Sequence, residues 1–226
     1  MKKVAAFLAI ALALVIALHS NASAALTISL FDPGNSGIGS FSWSQIGSTI
    51  YLNETWTQNK RGFLLFDGFA GASASTIVKR IYNSTNTDWN LFSNELLDPD
   101  GQNNDGLDPK PYPGFVPAKF TTSNDYDGLS FDQYGSIPKT STSFSNVFVD
   151  ELSNARDFIE FSNGLVSGLG GYEEQSFGLI DTDGSGGNEP FLLAQRPNEH
   201  SVVPEPGTLM LLGSGLVSLG FFRRKR

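Results

Sequence analysis

Thr76-Ile77-Val78-Lys79-Arg80-Ile81-Tyr82 sets Ile77, Lys79 and Ile81 against Val78, Arg80 and Tyr82. Alternation with a period of two marks a strand whose two faces differ. Just upstream, residues 48–57 read Ser-Thr-Ile-Tyr-Leu-Asn-Glu-Thr-Trp-Thr, dense in β-branched and aromatic residues. Residues 26–31, 63–69, 129–133, 144–149, 158–161, 177–180 and 191–194 are further short apolar segments of strand length. Gly, Asn, Ser and Pro clusters separate them at short intervals, as in an antiparallel sandwich or barrel. No segment between residues 25 and 195 sustains a 3.6-residue period. Residues 88–97 and 150–158 alone admit a helical turn or two. The expected fold is therefore all-β, an antiparallel β-sandwich of jelly-roll-like kind, with its phenylalanines packed between the sheets.

Both ends of the 226-residue chain differ from this body. Residues 1–24 have Lys2 and Lys3, an apolar core over 4–18, and the small residues Ala22-Ser23-Ala24. That order predicts a secretory signal peptide cut before Ala25. At the other end, Val203-Pro204-Glu205-Pro206-Gly207 precedes an uncharged run that meets Arg223-Arg224-Lys225-Arg226. Pro204 and Pro206 stop any helix, so a new element begins after Gly207. A cationic cluster directly after an apolar run is held on the cytoplasmic side of a membrane. The run spans roughly 24 Å as a helix, against about 30 Å of bilayer core. Snorkelling of Arg223 and Arg224 and local thinning can close that gap. Gly213, Gly215 and Gly220 weaken the helix, which suits a temporary single membrane helix. The organisation read from the sequence is a signal peptide at 1–24, a β-sandwich body at 25–195, a linker at 196–202 and a sorting segment at 203–226.

The ordered triplet at 203–226, Pro-Glu-Pro, apolar helix and basic tail, resembles the PEP-CTERM sorting signal of Gram-negative bacteria. The resemblance implies an exosortase, a membrane transpeptidase that reads Pro204, Glu205 and Pro206 and passes the protein towards the cell surface. These residues are then an address, not a catalytic centre. The implied partners are signal peptidase and that transpeptidase, with the inner membrane as transient anchor. The implied destination is the cell envelope or an extracellular polysaccharide matrix such as that of a biofilm.

Charge and composition narrow the chemistry. Residues 25–203 keep nine basic and 22 acidic side chains, a net charge of −13. So acidic a body is unsuited to nucleic acid, whose phosphates require basic surface. The chain has no cysteine, so an exported body must be stabilised by its core or by metal. Of the two histidines, His19 falls in the signal peptide and His200 in the linker. A Ser-His-Asp triad, a Cys-His pair and an ordinary zinc site are thereby excluded from the body. No phosphate-binding loop or dinucleotide fingerprint is present. Asp150, Glu151, Asp157, Glu160, Glu173 and Glu174 supply carboxylates for glycoside chemistry, but equally well a solvated surface. Catalytic residues are not assigned, and a non-enzyme is expected.

Calcium is the one cofactor the sequence suggests. Asp181-Thr182-Asp183-Gly184-Ser185-Gly186 places oxygens at positions 1, 3 and 5 of an EF-type loop and glycine at 6. Leu192 stands at position 12, where the pattern needs a bidentate Glu, and Glu189 at position 9 substitutes only in part. The metal candidates are Asp181, Asp183, Ser185 and Glu189. The competing reading is an acidic turn, because Asp and Gly are favoured in turns. Asp98, Asp100, Asp105 and Asp108 form a looser acidic loop within the Pro/Gly/Asp-rich stretch 98–125, which we read as a long surface loop. Asn53-Glu54-Thr55 and Asn83-Ser84-Thr85 match the N-glycosylation pattern, with chance occurrence as the simpler reading.

The sequence thus predicts an exported structural or binding component associated with exopolysaccharide. Two alternatives are a carbohydrate-binding module presenting Trp43, Trp56 or Trp89, and a glycan-active enzyme using two carboxylates. Exposure of two tryptophans on one sheet face would favour the first.

Overall fold

The computed structural model describes residues 25–32, 34–69, 71, 73–99, 120–122, 128–132, 135–151, 156–182 and 190–198. Among them are thirteen strands and no helix: β1 Thr27–Phe31, β2 Ile38–Ile46, β3 Thr49–Trp56, β4 Gly62–Asp67, β5 Ser75–Asn83, β6 Trp89–Pro99 and β7 Phe120–Thr122. The chain continues with β8 Leu129–Ser130, β9 Thr140–Ser141, β10 Phe144–Asp150, β11 Phe158–Val166, β12 Gly171–Asp181 and β13 Phe191–Pro197. The first sheet runs β1-β4-β13-β6-β11-β10, with β7 on β6. The second runs β2-β3-β5-β12-β8, with β9 on β12. The expected signal peptide and C-terminal membrane helix lie outside the described residues. Among those described, no helix is long and apolar enough to cross a membrane.

Alternation builds the core. In β3, Ile50, Leu52, Glu54 and Trp56 are buried while the residues between them are half-exposed. In β5, Ile77, Lys79, Ile81 and Asn83 are buried, so the phase read from residues 76–82 holds. The inner side chains of both sheets join one apolar cluster, which includes Ile50, Trp56 and Ile77 of the second sheet and Phe66, Phe92 and Leu193 of the first. Trp56 meets Trp89 edge-on at 5.7 Å and Phe92 at 5.5 Å. Phe66 stacks on Phe191 at 4.9 Å. Each such ring pair adds about 0.5–1.5 kcal/mol beyond the area it buries.

The wholly antiparallel, jelly-roll-like expectation needs correction, because β3 and β5 pair in parallel from Thr49↔Thr76 to Trp56↔Asn83. The reason is the path of the chain. After β3 it crosses to the first sheet as β4, then returns to lie beside β3 as β5. Two such crossings bring it back in its starting direction, so the sheets are mixed.

Three local expectations are also revised. Residues 88–97 are strand β6 rather than helical turns. Leu91 to Leu97 are buried without interruption, so period-two alternation leaves no trace in the hydrophobic pattern. The turn expected over 150–158 falls largely on residues 152–155, which lie outside the described residues, between the end of β10 at Asp150 and the start of β11 at Phe158. The segment expected over 129–133 forms strand only at Leu129–Ser130, since Asp132 is left-handed at φ 53° and turns the chain away. Finally, β13 runs through Gln195 and Arg196 to Pro197, past the expected start of the linker. Gln195 pairs with Asn94 and Arg196 with Ser93 of β6. A charged residue is tolerated in this central strand because the Arg196 guanidinium donates to Glu95, itself buried on β6.

Two outcomes test this architecture by denaturant unfolding. Trp56→Ala removes the ring on which Trp89 and Phe92 abut and is expected to cost about 3–5 kcal/mol. Glu95→Ala strands a buried guanidinium at a similar cost of about 3–5 kcal/mol, and adding Arg196→Leu is expected to recover a large part of it.

Candidate functional site

The strands that bury Ile77 and Ile81 must turn their alternate side chains away from the core. On β3, β5 and β12 those residues form an ordered outer face. Tyr82 pairs with Tyr172 and with Thr55, and Arg80 with Glu174 and with Asn53. The Tyr82 and Tyr172 rings lie 5.1 Å apart, tilted by 53°. They are 46% and 41% exposed, the most open aromatic pair on the second sheet. Arg80 Nε donates to Glu174 Oε2 at 3.1 Å, and the Tyr172 hydroxyl donates to the same oxygen at 3.0 Å. The Arg80 guanidinium also lies 5.2 Å from the centre of the Tyr51 ring. Thr142, just beyond β9, closes one side of the platform by accepting the Glu174 backbone N–H.

This arrangement suits a neutral or weakly polar ring ligand. Two open phenol rings offer an apolar face, while an ion pair holds a donor and an acceptor at fixed positions beside them. The ion pair is exposed, so it orients more than it stabilises. Its hydrogen bond raises the Arg80 pKa. The Tyr172 pKa is raised first by partial burial and then by the bond to Glu174.

The residues singled out from sequence fare differently. Trp56 and Trp89 are fully buried in the core, and Trp43 is half-buried against it. They form no pair of open rings on one sheet face; the exposed ring pair there is Tyr82 and Tyr172. The outward set of the 76–82 alternation already held Tyr82, whereas Tyr172 lies in the part of β12 before the expected 177–180 segment. What sequence lacked was the register that sets Tyr82 beside Tyr172.

Among the carboxylates named from sequence, Glu173, Glu174, Asp150 and Glu151 each have a hydrogen-bond partner. Glu173 and Glu174 point to opposite faces of β12. Glu173 is buried and accepts from the Thr142 hydroxyl at 3.1 Å, the Ser143 N–H at 2.9 Å and the Ser141 hydroxyl at 2.5 Å. Asp150 is paired with Arg156 at 3.0 Å. Glu151 is buried and accepts the Phe131 N–H. Of the proposed calcium ligands, Asp181 is the last residue of β12 and its N–H bonds to Gly71. Asp183, Ser185 and Glu189 lie outside the described residues, as do Asp100, Asp105, Asp108 and His200. Among the described residues no group of three or more His, Cys, Asp or Glu could hold a metal ion. Asn83 is buried. Its amide donates to Thr87 and Val166 carbonyls while its oxygen accepts from Thr85, so it fastens a turn.

The family profile of the PEP-CTERM protein-sorting motif matches residues 202–226. Pro204, Glu205 and Pro206 fall inside that match, outside the described residues. A search of curated proteins and a search of solved structures found no match. The sorting motif implies an exported protein processed by an exosortase-type enzyme and delivered to the cell envelope or surface.

Tyr172 supplies a pH test. Its folded pKa lies above the unfolded value, so its contribution to stability is complete below about pH 10. That contribution is lost as pH rises through the folded pKa. Glu174→Gln is expected to move one tyrosinate absorbance transition to lower pH and to leave the others in place.

Proposed function

We propose that this protein is a non-enzymatic component of the cell surface or extracellular matrix that binds polysaccharide through the Tyr82–Tyr172 face of its second sheet. One observation carries the reading: two open tyrosine rings packed at 5.1 Å beside the Arg80–Glu174 ion pair. A sugar ring stacks its C–H face on such phenols and directs hydroxyls to the fixed carboxylate and guanidinium. The acidic body is repelled by anionic lipid headgroups, which suits release from the membrane after sorting. A polysaccharide partner also agrees with the exported destination that the sorting motif implies.

Delivery and binding are separable in experiment. Mass spectrometry of the protein from its native host is expected to find the chain beginning at Ala25 and ending near Pro204. Glu205→Ala is expected to leave a membrane-bound precursor that ends at Arg226. A wild-type chain that retains Arg226 would overturn the sorting reading. For binding, affinity electrophoresis in gels containing the host's own exopolysaccharide is expected to retard the wild-type body. The Tyr82→Ala/Tyr172→Ala variant is expected to lose about tenfold or more in affinity, because each ring would be an anchor that the bound sugar desolvates. Unchanged mobility of the wild type in that gel would remove the polysaccharide reading.

A further inference from the structure

Three polar side chains meet in the middle of the sandwich: Lys79 from β5, Asn94 from β6 and Gln175 from β12. All three are completely buried. Lys79 Nζ lies 2.6 Å from Asn94 Oδ1, and Asn94 Nδ2 donates to Gln175 Oε1 at 3.1 Å. Lys79 Nζ also stands 4.5 Å from the centre of the Phe92 ring.

An ammonium carries three donors, and among the described residues Lys79 has one hydrogen-bond acceptor. Burial is the largest influence on it and lowers its pKa to about 8, against the opposing charges of Glu54 and Glu173. Much of the group is therefore a neutral amine, a nucleophile, in mildly alkaline solution. Glu54 is also buried and projects inward one alternation beyond Leu52, the β3 residue that pairs with Lys79. Its Oε2 accepts the Trp56 indole N–H at 2.9 Å. Its Oε1 is buried with no hydrogen-bond partner among the described residues. An amine, an amide and a carboxylate with one oxygen unengaged among the described residues thus share the buried interior. Glu173 is less suited to carry a proton, because three groups from residues 141–143 already occupy it.

We propose that Lys79 and Asn94 condense into an intramolecular amide bond that ties the two sheets together through the core, with Glu54 carrying the proton. The neutral Lys79 nitrogen attacks Asn94 Cγ, and the carbonyl electron pair moves to Oδ1. Glu54 takes a proton from the attacking nitrogen and delivers it to Nδ2. The Cγ–Nδ2 bond breaks, the carbonyl reforms and ammonia leaves. One N–C bond forms as another breaks, so no oxidant, reductant or added cofactor is required. Gln175 positions the leaving amide by holding its N–H. The product replaces a buried cation with a neutral secondary amide that has a single N–H. It gives a cysteine-free exported body the covalent tie that a disulfide supplies elsewhere.

Intact mass of the denatured full chain, corrected for its measured termini, tests the bond. The expected result is a deficit of about 17 Da, one ammonia, by the balance above. Tandem spectra of a tryptic digest are expected to show Lys79 joined to Asn94, with no cleavage after Lys79. Asn94→Asp is expected to shift the deficit to about 18 Da, one water by the same balance, and Lys79→Arg to abolish it. Glu54→Gln is expected to give folded protein at full mass. A folded wild type that stays at full mass, with free Lys79 after incubation at mildly alkaline pH, would overturn the proposal. A deficit that persists in Glu54→Gln would overturn the proton-carrying role of Glu54. The wild-type mass decides the main question even if every variant fails to fold.

Discussion

The inner faces of the two sheets bury each other, and every other feature of the body follows from that mutual burial. With no cysteine in the chain, the shared core is what the described structure shows holding the body together. Trp56, Trp89 and Phe92 interlock near one end, while Phe66, Phe69 and Phe191 cluster elsewhere in it. Strand β13 lies between β4 and β6 and is buried on both faces, so it admits charge only where a partner neutralises it. Arg196 against Glu95 meets that condition.

Polar groups inside the sandwich are handled in two ways. Some are saturated and serve as fasteners. Asn83 ties the turn after β5 to the end of β11, and Glu173 gathers the hydroxyls and amide of residues 141–143. Others retain unused capacity. Among the described residues, Lys79 has more donors than acceptors to receive them, and one Glu54 oxygen is unmatched. Unmatched buried polarity is costly, and it is also where chemistry becomes available.

The same alternation links core to surface. A strand that commits Ile77, Lys79 and Ile81 to the interior also commits Arg80 and Tyr82 to the exterior. Because β3, β5 and β12 are in register, their outward residues form rows: Thr55, Tyr82 and Tyr172 in one, Asn53, Arg80 and Glu174 in the next. The core packing and the candidate binding face are therefore two sides of one arrangement. Delivery belongs to a different part of the chain, the C-terminal sorting motif.

The sequence by itself determined the all-β class, the strands with one wet face and the address at 203–226. Those features are local: a period of two, a run of β-branched residues, a proline-flanked glutamate before an apolar run and four cations. Strand β6 escaped it because burial on both sides erases alternation. The end of β13 escaped it because Gln195-Arg196 reads as polar until Glu95 is placed beside Arg196. Tertiary structure alone decided that β3 and β5 run parallel, that Trp56 and Trp89 face inward while Tyr82 and Tyr172 remain open, and that Lys79 meets Asn94. The spacing of residues along one strand reveals which side chains share a face. Which face meets which is set by the crossings between sheets and by register, and these bring together residues far apart in the chain.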